Sequence, residues 1–234
     1  MVTRSLKKIL TVRWFARIVV GFILLRIMKK YCIDCGAHQG QATLLFDQFH
    51  LEASEFEMHG FEPNDVFNRF WGTDSPYLAL HATHLHTVAV WTHTGEVDMY
   101  LSTVTGQLGS TLLHGKKTAK IDYERPIKVP CLDFSKWLRE NVTKEDKVLV
   151  KMNIEGSEYA VLGRMIMEGT IKLVDELYIS MHGEKIDGFS KQQDQRLLKK
   201  VRSYGVKVIP WGIRGEEFRN ILRWWLCGLE TKRQ

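Results

Sequence analysis

Short apolar runs recur through the 234-residue chain, most of them closed by a polar or glycine-bearing turn and followed by a helical segment. This alternation constrains the fold more than any other feature, because a run of four to seven apolar residues is long enough for a buried strand and too short for a helix. Runs at 31–34, 56–62, 147–153, 174–181 and 206–211 read as strands. Helices are expected at 41–49, 65–71, 135–140, 157–168 (with Ser157 as N-cap) and 192–204. Residues 87–91 and 97–101 flank a turn at 92–96 and read as strand, turn, strand. Residues 102–125 are polar and dotted with glycine, and read as an irregular loop. Strands alternating with helices imply an α/β fold with a mostly parallel, doubly wound sheet and helices on both faces. With 44% hydrophobic and 26% charged residues the chain can fill one such core, so a single domain over 29–234 is expected.

Residues 1–28 are treated separately. The stretch 9–28 is apolar, but Arg13, Arg17 and Arg26 interrupt it, and the charge-free part at 18–25 is far shorter than the ~20 residues of a membrane span. No small-residue cleavage site follows. A helix packed over the sheet is expected, and a short membrane anchor or interfacial helix is the alternative. The protein is accordingly placed in the cytoplasm or at a membrane through this segment. The net charge of +6 is spread over weak clusters (Arg4, Lys7, Lys8, Arg13 and Arg17; then Lys199, Lys200 and Arg202). A solvated basic surface accounts for these better than nucleic-acid binding does. Four cysteines are too few for a disulfide framework in this length. Cys32 and Cys35 form a C-x-x-C, but it lies in an apolar strand rather than at a helix start, and Cys131 and Cys227 are isolated. Redox and cysteine–zinc chemistry are therefore disfavoured.

In parallel sheets, ligands bind beyond the carboxyl ends of the strands, and the unusual polar residues of this chain fall there. The first strand ends in Asp34-Cys-Gly36-Ala37-His-Gln-Gly40. Its glycines permit a tight turn close to a ligand, and an acid ahead of them suits a cationic ligand. The second strand ends in Glu62-Pro63-Asn64, and an acid at that position is placed to bind both ribose hydroxyls. Asp34, Gly36, Ala37, Gly40, Glu62, Pro63 and Asn64 are the expected cofactor-binding residues. S-adenosylmethionine, whose amino group and sulfonium are positive, is the expected cofactor. A third cluster, Asn153-Ile-Glu155-Gly156-Ser-Glu158, follows another strand and reads as a substrate pocket, with a divalent cation as an alternative. His81-x-x-His84-x-His86, with His93 nearby, invites zinc, but no acid or cysteine adjoins these residues in the sequence. They read as a loop leading into a strand, and no metal ligand is assigned.

Three blocks carry a family resemblance: Ile33-Asp-Cys-Gly-Ala-His-Gln-Gly40, Gly60-Phe-Glu-Pro-Asn64 and Val150-Lys-Met-Asn-Ile-Glu-Gly-Ser-Glu-Tyr-Ala-Val-Leu162. In order and spacing they resemble the FkbM family of methyltransferases over residues 31–211. The resemblance implies a class I, Rossmann-like methyltransferase fold, S-adenosylmethionine as cofactor, and O-methylation of sugars or other hydroxylated small molecules. The chain departs from the family pattern at Asn153, where Asp is usual, at His38, where Asn is usual, and at Ser180, where the family often has an acid. A hydroxyl is a poor nucleophile, so a base is expected. His182 is the first candidate because imidazole titrates near neutral pH, and Asn153 and Glu155 complete the expected catalytic set. The expected partner is a glycan or small-molecule acceptor. An RNA or protein methyltransferase, and a methyltransferase-like binding protein without turnover, are the competing readings.

Overall fold

The structure, a computed structural model, describes residues 28–40, 42, 55–71 and 83–212. Along the chain these form β1 (Lys30–Cys35), β2 (Glu57–Phe61), β3 (Thr83–His86), β4 (Ala89–Trp91), β5 (Gly95–Met99), β6 (Ile127–Asp133), α1 (Phe134–Asn141), β7 (Lys147–Met152), α2 (Glu158–Met167), β8 (Glu176–Ile179), α3 (Lys191–Arg202) and β9 (Lys207–Pro210). A 3₁₀ helix occupies Asp65–Trp71. Among the described residues the main sheet has six strands in the order β3-β2-β1-β7-β8-β9, and every pairing in it is parallel. The chain leaves β1 towards one edge and returns to β7 on its other side. The switch point therefore lies between β1 and β7, where a crevice opens beyond the strand ends.

The central strands have no polar face because both sides are covered. Ile33, Val148, Val150 and Leu177 are completely buried. On one face Phe134 and Leu138 of α1, Val161, Leu162 and Met165 of α2, and Val201 of α3 join them in one apolar cluster. Removing a buried leucine such as Leu162 from this cluster costs about 2–5 kcal/mol. The opposite face carries a smaller cluster of Cys32, Phe56, Met58 and Leu149. The helix expected at 41–49 lies outside the described residues apart from buried Ala42, as does the segment 1–27. No described helix is long and apolar enough to cross a membrane.

Several sequence expectations need correction. The stretch containing His84 and His86 is no loop: it is β3, paired with β2 in the register His59↔His84 and Phe61↔His86. The segments flanking residues 92–94 are strands, but they do not pair with each other, because β6 lies between them in a second, three-stranded sheet, β4-β6-β5. The strand β6 was hidden by Pro130, which cannot donate to a ladder. Here the pairing of β6 with β4 begins only at Cys131, so Pro130 interrupts nothing on that side. Ser157 takes the N-cap position of α2 without making the capping hydrogen bond. Glu158, one residue on, takes over: its carboxylate accepts from Ile154 N at 2.8 Å and Gly156 N at 2.7 Å.

Candidate active site

A cleft with an empty volume of about 700 Å³ opens at the carboxyl ends of β1, β2 and β7. Its walls include Gly36, Glu62, Pro63, Asn153 and Glu155. One wall is the turn after β1. Gly36 there has φ +82, and a Cβ on it would lie 2.3 Å from the Asn153 carbonyl oxygen, so no side chain fits between the two strand ends. Four backbone N–H groups of this turn are already bonded within the protein. Gly36 and Ala37 both donate to Phe61 O at 3.0 Å and Gly40 donates to Ala37 O at 2.8 Å, while His38 N donates to Glu62 Oε2 at 3.0 Å. Ala37 and Gly40 act by shaping the turn. Asp34 is completely buried with Lys151 Nζ 2.8 Å away, and neither carboxylate oxygen has a hydrogen-bond partner among the described residues. Lys151 Nζ donates instead to Gly36 O at 2.8 Å.

Glu62 closes β2 and is 6% exposed. Its two oxygens accept the N–H groups of His38 (3.0 Å) and Asn64 (2.9 Å), which orients the carboxylate and leaves a lone pair on each oxygen for a diol. Burial pushes its pKa up to about 7, against the opposing pull of those two N–H groups and of Lys151. Asn64 does not line the cleft. Its Nδ2 donates to Gln107 Oε1 at 2.5 Å, and His38 Nε2 lies 2.9 Å from Gly106 O. These two contacts clamp residues 106–107 of the polar segment onto the ends of β1 and β2.

The other wall is the Glu-Gly-x-Glu turn. Glu155 has φ +56 and Gly156 φ +112, a left-handed pair that lets the chain reverse sharply after β7. A left-handed glutamate costs about 1–2 kcal/mol, a strain often found where a side chain must be aimed. A Cβ on Gly156 would sit 2.0 Å from Ile186 Cδ1. Glu155 Oε2 accepts from Lys116 Nζ at 2.5 Å and lies 3.3 Å from His182 Nε2. His182 Nδ1 in turn lies 3.0 Å from Glu158 Oε1. Burial alone would raise Glu155, but His182 and then Lys116 hold it down at about 2. Burial likewise works to lower His182, but Glu155 and Glu158 raise it to about 9.

This geometry counts against His182 as general base. The two carboxylates raise its pKa and so favour the imidazolium, a form with no lone pair to accept a proton. It is 2% exposed and is not among the residues lining the cleft. Its place between two carboxylates makes it a positioning residue for Glu155. Lys116, 6% exposed, is a site residue the sequence did not reveal. It supplies beside Glu155 a positive charge, the part a divalent cation would play in the alternative reading of this turn. Its only sequence signal was the company of Gly106, Gly109 and Gly115, all at positive φ, in a segment read as a plain loop.

The methyltransferase FkbM domain model matches residues 34–208, spanning both walls of the cleft and all of the three sequence blocks except Ile33. The chain belongs to the FkbM methyltransferase family. Comparison with curated proteins and with solved structures gave no match. As a methyltransferase of this family, the protein carries at Asn153 a neutral side chain on the cleft wall where the family pattern usually has an acid. His38, its other departure near the cleft, is the residue that holds Gly106.

Proposed function

We propose that the protein is an S-adenosylmethionine-dependent O-methyltransferase acting on a hydroxyl of a carbohydrate or a related small molecule. The observation that carries this reading is one cleft with two unlike carboxylates. Glu62 is oriented by backbone N–H groups at the end of β2, and Glu155 is oriented by two cations at the end of β7. The residues present fit the cofactor. Asp34 lies behind the cleft wall, ion-paired with Lys151 at 2.8 Å, and Gly36 keeps that wall at backbone thickness. Glu62 would hold the ribose hydroxyls, with Pro63 and Gly36 beside it. When bound, the cofactor supplies a methyl group already activated by its sulfonium.

The work left to the protein is alignment and the handling of one proton. Glu155 would accept a hydrogen bond from the acceptor hydroxyl and so aim its oxygen. A carboxylate held at about 2 is a weak base, yet a weak base suffices here. The hydroxyl oxygen becomes strongly acidic as its bond to carbon forms, so the proton passes to Glu155 late and then to water. Lys116 and His182 keep the carboxylate ionised and fixed. Asn153 lines the same wall and offers an amide to a second hydroxyl of the acceptor.

Methyl transfer from labelled S-adenosylmethionine should be assayed against separated glycan, lipid, RNA and protein fractions. Label in the glycan or small-molecule fraction, stable to base as an ether and not an ester, is the expected result. Label confined to RNA or protein would overturn the acceptor assignment, and cofactor binding with no labelled product would mark a binding protein.

A further inference from the structure

Away from the cleft, at the amino-terminal half of β2, three side chains converge that the methyltransferase reading does not use. Glu57 and His59 lie two residues apart on one face of β2, and His84 is the register partner of His59 on β3. Glu57 Oε1 lies 3.3 Å from His59 Nε2 and 3.4 Å from His84 Nε2, and the three ligand atoms all fall within 4.8 Å of one another. We propose that Glu57, His59 and His84 form a binding site for a zinc-class divalent transition metal, with water in the fourth position.

The spacing suits a shared metal ion. Bonds of ~2.0–2.1 Å from zinc to histidine nitrogen and carboxylate oxygen, set at the tetrahedral angle, place neighbouring ligand atoms roughly 3.3–3.4 Å apart. Both Glu57–histidine separations have this value. His59 Nε2 is buried and, despite its closeness to Glu57, has no hydrogen-bond partner among the described residues; His59 itself is 7% exposed. A buried imidazole nitrogen without a partner is costly unless something else takes its lone pair.

The surroundings match those of a metal centre. His59 Nδ1 lies 3.0 Å from His86 Nε2; with the proton on Nδ1 donated to His86, Nε2 is left free for a metal. Glu57 divides its oxygens, with Oε2 accepting from Lys29 Nζ at 3.1 Å and Oε1 turned to the two histidines. Trp137 packs edge-on to His59 at 5.1 Å between ring centroids and helps fix the ring. The His84 side chain is 52% exposed, which gives the ion a path in and leaves room for the water.

The test uses the untagged full chain, stripped with a chelator and titrated with Zn²⁺ in competition with a chromophoric chelator. One zinc per chain is expected, with affinity weakened at least about 10-fold in both His84→Ala and Glu57→Gln. Circular dichroism on each variant confirms folding, and because His84 is exposed on strand β3 its removal leaves the core intact. Co²⁺ should give the strong visible absorption of a four-coordinate site, and Zn²⁺ should raise the Tm of the wild type but not of His84→Ala. Absence of stoichiometric zinc, equal affinity in wild type and His84→Ala, or a weak six-coordinate cobalt spectrum would each overturn the proposal.

Discussion

Glu62 and Glu155 face the same cleft from strands separated only by β1, and the protein treats them in opposite ways. Glu62 is held by neutral backbone donors, with Lys151 a lesser pull, so burial dominates and its pKa rises to about 7. Glu155 meets Lys116 and His182, and the same burial is overcome, so it falls to about 2. Two carboxylates of one chemical type thus become a proton-sensitive wall and a proton-insensitive wall. Hydrogen bonds from neutral N–H groups orient a carboxylate without giving it a full counter-charge; paired cations do both. The first arrangement suits a group that accepts from neutral ligand hydroxyls, as a ribose diol would offer. The second suits a group that must stay ionised whatever else is bound.

The largest effect should come from the Glu155 wall. Glu155→Gln keeps the shape but removes the proton acceptor, and it leaves Lys116 and His182 facing a neutral amide. The rate of methyl transfer should fall by roughly 10²–10³-fold, while cofactor affinity measured by calorimetry stays within about threefold. Equal losses in rate and in cofactor affinity would collapse the distinction between the two walls. Next comes the Glu62 wall: Glu62→Gln should weaken S-adenosylmethionine binding by about 1.5–3 kcal/mol with little change in turnover at saturation. Wild-type affinity should also weaken as the pH falls below about 7, because a protonated carboxyl is a poorer acceptor for the two ribose hydroxyls. Flat binding between pH 8 and 5.5 would contradict the proton-sensitive assignment.

Stability offers a third handle. The folded-state pKa of His182, about 9, lies above its ordinary value of 6.5, so the folded protein holds that proton more tightly. Its contribution is complete below pH 6.5 and is lost as the pH rises through 9. Glu62 has the same sign in a lower window, since its folded value of about 7 exceeds 4.5; its contribution is lost between about pH 4.5 and 7. The unfolding free energy of the apo protein, read from denaturant curves, should therefore fall from pH 6.5 to 9, by on the order of 3 kcal/mol through His182. His182→Gln should flatten that window and leave the lower one in place. A stability that rises over pH 6.5–9 in the wild type would mean that His182 is neutral in the folded state.

The two walls also differ in how far they could be read from sequence. The parallel sheet, Glu62 at the end of β2 and Glu155 in the turn after β7 were visible because each rests on a local pattern: an apolar run, then an acid, then a turn residue. What was missed depends on partners distant in sequence. Lys116 reaches Glu155 across 39 positions, and no local pattern marks it. The charge of His182 is set by Glu155 and Glu158, both more than 20 residues away, so its ordinary pKa is no guide. The zinc reading of the histidines looked for an acid next to them in the chain, whereas Glu57 arrives from the neighbouring strand. Cys32 and Cys35 show the reverse case. Their C-x-x-C spacing suggests a pair, but an odd separation along a strand puts the two on opposite faces, and they fall in different apolar clusters.

The smallest effect is expected at Asn153, and it tests whether the Glu155 wall is balanced in charge. Glu155 and Glu158 carry two negative charges there, and Lys116 and His182 two positive ones. Asn153→Asp adds a carboxylate on the same wall without removing any of these partners, because no described hydrogen bond uses the Asn153 side chain; its backbone N–H donates to Cys35 O at 3.1 Å. The added charge lies in a cleft open to solvent, where screening holds a single charge–charge interaction to about 1 kcal/mol. Affinity for the cationic cofactor should therefore rise, by less than about tenfold, and turnover should stay within a similar factor. The measurement is a pair of saturation curves, one in cofactor and one in acceptor. If Asn153→Asp abolishes turnover while cofactor binding survives, the amide donates a hydrogen bond to the acceptor that a carboxylate cannot supply. Aim at this wall would then belong to Asn153 as much as to Glu155.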